Sequence, residues 1–348
     1  MARLNRLLAL ALAAVLCVPL AGCEKKPEAV QTTVFAMDTV MNLTLYGEQE
    51  TLDRAVEDLC HMERQFSATL EDSLVFRLNQ GETVSPSQVL QEVLEQSIML
   101  AQRTGGALDL TAYPAVRAWG FHTGDYRVPD AAELDELRER IDYTRIEFEW
   151  AENGRCDVTL PAGTQLDLGA VAKGYAGDLL AGDLRHDGVT SALLDLGQSS
   201  IMAVGAKPDG APWRIGIQDP AGEGYLGVLE LTDQAMGTSG SYQRYFEQGG
   251  LRYCHIIDPA TAAPAQSGLA SVTVVANSCL VCDGLSTALF VMGLEEGAQF
   301  WRRAQSDPDL AFEAIFIEDN GAISVTSGLK DAFALAEGYT DREVTVLE

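Results

Sequence analysis

The sequence predicts an α+β fold of antiparallel sheets with packed helices. Three observations carry that expectation. The second half of the 348-residue chain strings strand-like segments together with short turns, which favours antiparallel pairing. Helical patterns interrupt those strands irregularly instead of alternating with them as in a doubly wound sheet. The hydrophobic fraction of 47% is enough for one large core or two fused ones.

The chain opens with MARLNR, then an apolar run from Leu7 to Leu20, then Ala21-Gly22-Cys23. That run is too short to span a bilayer as a permanent helix, whereas a basic start, an apolar centre and small residues before a cut describe an export signal. Residues 1–22 are therefore expected to be removed. Cys23 directly after Leu-Ala-Gly resembles the lipobox of bacterial lipoproteins, which implies a lipidated Cys23, an exported protein and a membrane anchor. Residues 23–31, continuing EKKPEAVQ after the cysteine, read as a polar tether, and the remaining 32–348 as the functional domain.

Within that domain "TTVFAMDTVMNLTLYG" alternates apolar and polar residues and reads as a strand ending at Gly47. From Thr51 to Phe66, Leu52, Ala55, Val56, Leu59 and Phe66 share one helical face. Ser85-Pro86 reads as the cap and first-turn proline of a second helix; Val89, Leu90, Val93, Leu94 and Ile98 form its stripe and Gly105 ends it. A third helix follows "LDLGAVAKGYA" and runs to about Arg185. Strands are expected at 191–196, 212–218, 225–232, 252–257, 269–276, 312–318 and 322–326.

Composition excludes some functions. The net charge is -27, and losing Arg3 and Arg6 with the leader makes it -29, which repels nucleic acid and anionic headgroups. An anionic substrate must be met by a local device such as a metal ion or a helix start. Beyond Cys17 and Cys23 the cysteines are Cys60, Cys156, Cys254, Cys279 and Cys282, an odd number. The single CxxC at 279–282 has no second pair or histidine pair to make a zinc site. "GEGYLG" at 222–227 fits GxGxxG but leads into a strand, so it is no dinucleotide loop.

What remains is a series of polar islands in apolar surroundings: "GGALDLT" (105–111), "LDLGAVAKGYA" (166–176), "GTSGSY" (237–242), "HIIDP" (255–259) and "DGLST" (283–287). Asp167, Gly169 and Lys173 would present backbone N–H groups, a positive helix end and an ammonium to an anion. Asp283 and Thr287 lie one helical turn apart and offer oxygens only, which suits Mg²⁺ better than zinc. On spacing alone the plainer reading is that Asp283 caps its helix and Thr287 bonds back to a carbonyl.

In this order, with "AWGF" (118–121), "PWRIGIQDP", "TSGSYQRYFE", "YCHIIDP" and "SVTVVA…CDGLSTALFVMG", the islands resemble the ApbE family of FAD:protein FMN transferases. The resemblance covers nearly all of the chain from Thr32 onward. It implies a T-fold-like α+β architecture, FAD and Mg²⁺, and transfer of FMN to a threonine of a partner protein with release of AMP. The acceptor it implies is a membrane redox protein. Residue by residue, it implies Mg²⁺ on Asp283, Thr287 and the Ala170 carbonyl with Ser286 beside them. FAD would meet Met37, Ala107, Leu108, Asp109, Asp167, Lys173 and Ile257, and His255 would serve the acceptor hydroxyl as base. Two alternatives stay open: an FAD pyrophosphatase giving FMN and AMP, and a non-enzymatic flavin-binding lipoprotein. The chain departs from the family pattern at Met37-Asp38-Thr39 (usually Met-Gly-Thr), at Thr69 (usually tyrosine) and at Leu196-Gly197-Gln198 (usually Leu-Gly-Gly).

Overall fold

A computed structural model describes residues 28–348; the leader and Cys23 lie outside the described residues. The elements in chain order are β1 (Ala29–Ala36), β2 (Thr39–Tyr46), α1 (Gln49–Phe66), α2 (Leu74–Asn79), α3 (Gln88–Arg103), α4 (Tyr113–Ala118), α5 (Ala131–Arg138), β3 (Glu147–Trp150), β4 (Cys156–Thr159) and α6 (Ala172–His186). There follow β5 (Ala192–Asp195), β6 (Ser200–Val204), β7 (Trp213–Gln218), β8 (Tyr225–Leu231), β9 (Ala235–Gly240), β10 (Tyr245–Gln248), β11 (Leu251–Cys254), β12 (Ile257–Asp258) and β13 (Ala263–Pro264). The chain closes with β14 (Leu269–Ala276), α7 (Cys279–Ala304), β15 (Glu313–Glu318), β16 (Ile323–Thr326), β17 (Phe333–Leu335) and β18 (Val344–Leu347).

The α+β expectation holds. A nine-stranded sheet runs β1-β2-β5-β6-β9-β14-β15-β16-β18, antiparallel at every ladder but the last, where β16 and β18 are parallel. Its strands come from both ends of the described chain. Helices cover one face and a small sheet, β17-β8-β7, covers the other.

Side-chain alternation builds this sandwich. In β14, Val272, Val274 and Ala276 join the helix-side core while Ala270 and Val275 join the core beneath the small sheet. Every residue of β14 is buried, Ser271 and Thr273 among them, so this antiparallel strand lacks the apolar-in, polar-out alternation of one with a wet face. Met202 and Val204 of β6 likewise face the helices, with Ile201 and Ala203 on the other side.

Several expectations need correcting. The first predicted strand is a hairpin, because Met37 and Asp38 both adopt left-handed backbone angles (φ 49° and 58°) and reverse the chain. Its β1 begins at Ala29, so the last three residues assigned to the tether pair with β2. The cap of α3 is Ser87, whose side chain accepts from the Leu90 N–H; Ser85 lies before it. The segment 252–257 is two short strands, broken at His255.

Candidate active site

The site is built where α6, β9 and the start of α7 pass close to one another. Two glycines permit this. A Cβ on Gly174 would lie 2.4 Å from the Cys279 carbonyl oxygen, and one on Gly237 would lie 2.5 Å from the Cys282 carbonyl carbon. Neither separation is compatible with a side chain, so the backbones of α6 and β9 rest directly on the first turns of α7.

The entry of α7 into this packing is satisfied group by group. Ser278 caps Val281 N–H, and Asp178 on α6 accepts from Cys279 N–H (2.6 Å), Leu280 N–H (3.0 Å) and the Ser278 hydroxyl (2.7 Å). Asp283 therefore sits in the second turn of the helix and does not cap it. Its Oδ2 accepts from Gly174 N–H and from the Ser200 hydroxyl, both at 2.8 Å, while Oδ1 takes no hydrogen bond from the described residues. Burial lifts this carboxyl from 3.8 to about 6, a rise opposed by the Lys173 charge and by both hydrogen bonds.

The hydroxyls beside it form a chain whose direction follows from counting protons. Ser286 donates to the Asp283 carbonyl (2.9 Å), so at the 2.9 Å contact with Ser239 it can only accept. Ser239 has then spent its proton, and at 3.2 Å Thr287 must donate to it. The Thr287 oxygen keeps its lone pairs, and Thr287 does not bond back to a helix carbonyl. Asp283 Oδ1 and Thr287 Oγ1 are thus two uncommitted oxygens one helical turn apart.

Both residues line a cleft of about 1200 Å³, together with Ser286 and Ala170. The same cleft is lined by every residue proposed from sequence for the flavin nucleotide: Met37, Ala107, Leu108, Asp109, Asp167, Lys173 and Ile257; His255 lines it too. Asp109 has a second commitment, for it accepts from Thr111 N–H and hydroxyl and from Tyr143 N–H, bracing its own loop. Asp167 accepts from Gly169 N–H at 2.8 Å, and burial raises its carboxyl against the Lys173 charge.

His255 is half-buried between β11 and β12. Its Nδ1 lies 3.3 Å from the Arg244 carbonyl, which can only accept, so Nδ1 carries the proton and Nε2 is left as a base. Burial, reinforced by the Arg244 charge, depresses the ring from 6.5 to about 4 and keeps it neutral at ordinary pH.

Ser200, Asp178 and the direction of the hydroxyl chain leave no signal in the sequence. Ser239 lies in the island "GTSGSY", although nothing there showed its role. Among the described residues all five cysteines are free, and Cys279 and Cys282 pack as small buried groups at the start of α7. No group of three or more histidine, cysteine, aspartate or glutamate residues among them is arranged to hold a metal, so any ion here depends on the mixed oxygen set.

The model of the ApbE family matches residues 37–312. The chain belongs to the ApbE family. It is 37% identical over 293 residues to the FAD:protein FMN transferase of Vibrio cholerae, covering 80% of this chain and 86% of that one. It is 32% identical over 289 residues to that of Treponema pallidum, covering 78% of each. Among solved structures, the ApbE protein of Thermotoga maritima superposes with a TM-score of 0.78 at 30% identity, covering 88% of this chain and 99% of that one. The apo flavinyl transferase ApbE of Pseudomonas stutzeri gives 0.76 at 29%, covering 89% and 98%. By this kinship the ApbE chain described here is an enzyme of the transferase class.

Proposed function

We infer that this ApbE protein transfers FMN from FAD to a threonine hydroxyl of a partner protein and releases AMP, with Mg²⁺ as the required ion. The observation that carries the reading is the pair of uncommitted oxygens on Asp283 and Thr287 in the same cleft as Lys173 and a neutral His255.

The residues fit Mg²⁺. The donors are all oxygen, and a buried carboxylate raised to about 6 gains most from a cation. Asp283, Thr287 and the Ala170 carbonyl would hold the ion, with Ser286 fixing the helix turn beside it and waters or phosphate oxygens completing the shell. When bound, the ion supplies neutralising charge to the phosphoryl oxygens. Lys173, in the first turn of α6, adds an ammonium and the positive helix end to the same anion. His255 Nε2 takes the proton of the attacking hydroxyl as the new P–O bond forms and the bond to the AMP oxygen breaks.

Export and a lipid anchor at Cys23 belong to this proposal, supported by the sequence around Leu20–Cys23, and would place the enzyme beside a membrane redox protein as acceptor. The test is incubation with FAD, Mg²⁺ and a threonine-bearing acceptor, read by in-gel flavin fluorescence and by chromatography. A fluorescent acceptor with one AMP per flavin supports the transferase. Free FMN alone would replace it with hydrolysis, and unchanged bound FAD with storage.

A further inference from the structure

We propose that the acceptor polypeptide docks as an added β-strand along the free edge of β7, resting on the flavin-transfer reading above. Five consecutive residues of β7, Arg214 to Gln218, line the cleft. Neighbouring residues of a strand face opposite ways, so an unbroken run at a cleft wall means the strand is seen edge-on.

The hydrogen-bond register identifies which backbone groups face that edge. Glu230 N–H donates to the Ala332 carbonyl, and Ala336 N–H to the Leu226 carbonyl. With β17 antiparallel to β8, residues 226, 228 and 230 of β8 therefore point their backbone groups at β17. Gly227, Leu229 and Leu231 alternate with them and point at β7, where the partners are Ile217, Ile215 and Trp213. Arg214 and Gly216 are left pointing their N–H and C=O outward, and among the described residues neither finds a backbone partner there. β7 is the outer strand of its sheet.

The edge adjoins the chemistry. Ile215 and Ile217 share the second core with Ile201, the residue that follows Ser200, donor to Asp283. Leu193, Ile201 and Met236 line the cleft on that side, while Arg214 and Gln218 are exposed on the other. None of the residues assigned to FAD or the ion lies on β7. The cleft volume exceeds the upper end of ordinary small-molecule sites, about 1000 Å³, which leaves room for a second substrate. An added strand would pair with the two outward amides and carbonyls and place alternate side chains on the apolar wall. Its chemistry is that of an extended segment with small or apolar residues at every second position and few acids, since the protein itself carries -27.

The test uses the full chain with FAD and Mg²⁺ and a synthetic library of peptides with a central threonine and randomised flanks. Flavinylated peptides are sequenced, then resynthesised with single backbone N-methyl groups. Loss of labelling at every second position is expected, because methylation removes only the N–H groups that face β7. In parallel, Arg214→Pro deletes an outward N–H without touching the β7–β8 ladder. Against Arg214→Ala as reference, it should raise the peptide KM on the order of tenfold, as loss of one backbone hydrogen bond does, with FAD affinity equal in the two variants. A flat N-methyl scan, or equal KM in both variants, overturns the docking mode. Should Arg214→Pro not fold, the scan on the unaltered protein decides. No labelled peptide from a preparation that still labels a threonine-bearing acceptor protein also sinks the docking proposal, whereas FMN release with neither acceptor labelled, or no turnover of FAD, sinks the reading beneath it.

Discussion

Asp283→Asn should make the metal-free protein more stable at pH 7 while abolishing its response to Mg²⁺. Asp283 is 6% exposed, and burial lifts its carboxyl from 3.8 to about 6. A carboxyl raised by folding takes up a proton as the chain folds. Its contribution is thus favourable at low pH and is lost as pH rises from about 4 through about 6. At about 1.36 kcal/mol for each pH unit, the ionised group costs the folded state about 3 kcal/mol at pH 7, an upper figure. An asparagine keeps an oxygen for Gly174 N–H and the Ser200 hydroxyl and carries no charge. Urea unfolding in EDTA at pH 7 should show the variant more stable by about 1–3 kcal/mol, and at pH 4 the two curves should converge. Adding Mg²⁺ with FAD should stabilise only the unaltered protein, by mass action. An Asn variant that is weaker at pH 7 in EDTA, or that still gains stability from Mg²⁺, would refute the assignment of this carboxylate.

His255→Ala should lower transfer to the acceptor by roughly 10²–10⁴ while FAD binding persists, as expected for loss of a general base. Because folding depresses this histidine from 6.5 to about 4, its contribution to stability is lost as pH falls through that window, and the variant should unfold with a flatter acid limb. Asp178→Ala strands the N–H groups of Cys279 and Leu280 and should cost about 1–3 kcal/mol in urea unfolding. Gln198 sits at φ 65°, so Gln198→Gly should stabilise by about 1 kcal/mol by relieving the left-handed conformation, checked by the same unfolding assay. Gly237→Ala forces a methyl group onto the Cys282 carbonyl and should displace Asp283, costing about 1–3 kcal/mol and most of the transfer activity.

The strands of the second half were readable because their flanking turns are explicit: β7, β8, β14, β15 and β16 fall within a residue of their expected spans. The β1–β2 hairpin was not, since its turn is made by Met37-Asp38 where a glycine or asparagine would have announced the positive φ. β6 and β9 were missed for a different reason. Buried on both faces, they show no alternation; β9 is made mostly of small and polar residues where α7 lies on it, and β6 is only five residues long. Residues of all five polar islands line one cleft, brought there by loops, by the starts of α6 and α7, and by strand β9. Ser200 was invisible because its meaning comes from a partner 83 residues away.

Two of the three departures from the family pattern, Asp38 and Gln198, also become intelligible in physical terms; nothing in the structure explains Thr69. Asp38 and Gln198 stand where the family uses glycine, and both hold left-handed backbone angles (φ 58° and 65°), so this chain keeps the loop shape and accepts the conformational strain. The two loops meet: a Cβ on Gly197, itself at φ 90°, would lie 2.5 Å from the Thr39 side chain, so this position is constrained by backbone conformation and by its neighbour together. Asp195 fastens the second loop by accepting from Gln198 N–H at 2.6 Å. At positions 38 and 198 a glycine would only ease backbone energy, whereas Gly174 and Gly237, whose Cβ positions fall on backbone atoms of α7, are requirements of space. Substitution should be tolerated at the first kind and damaging at the second, because only the second kind sets how closely the strands and helices approach around Asp283.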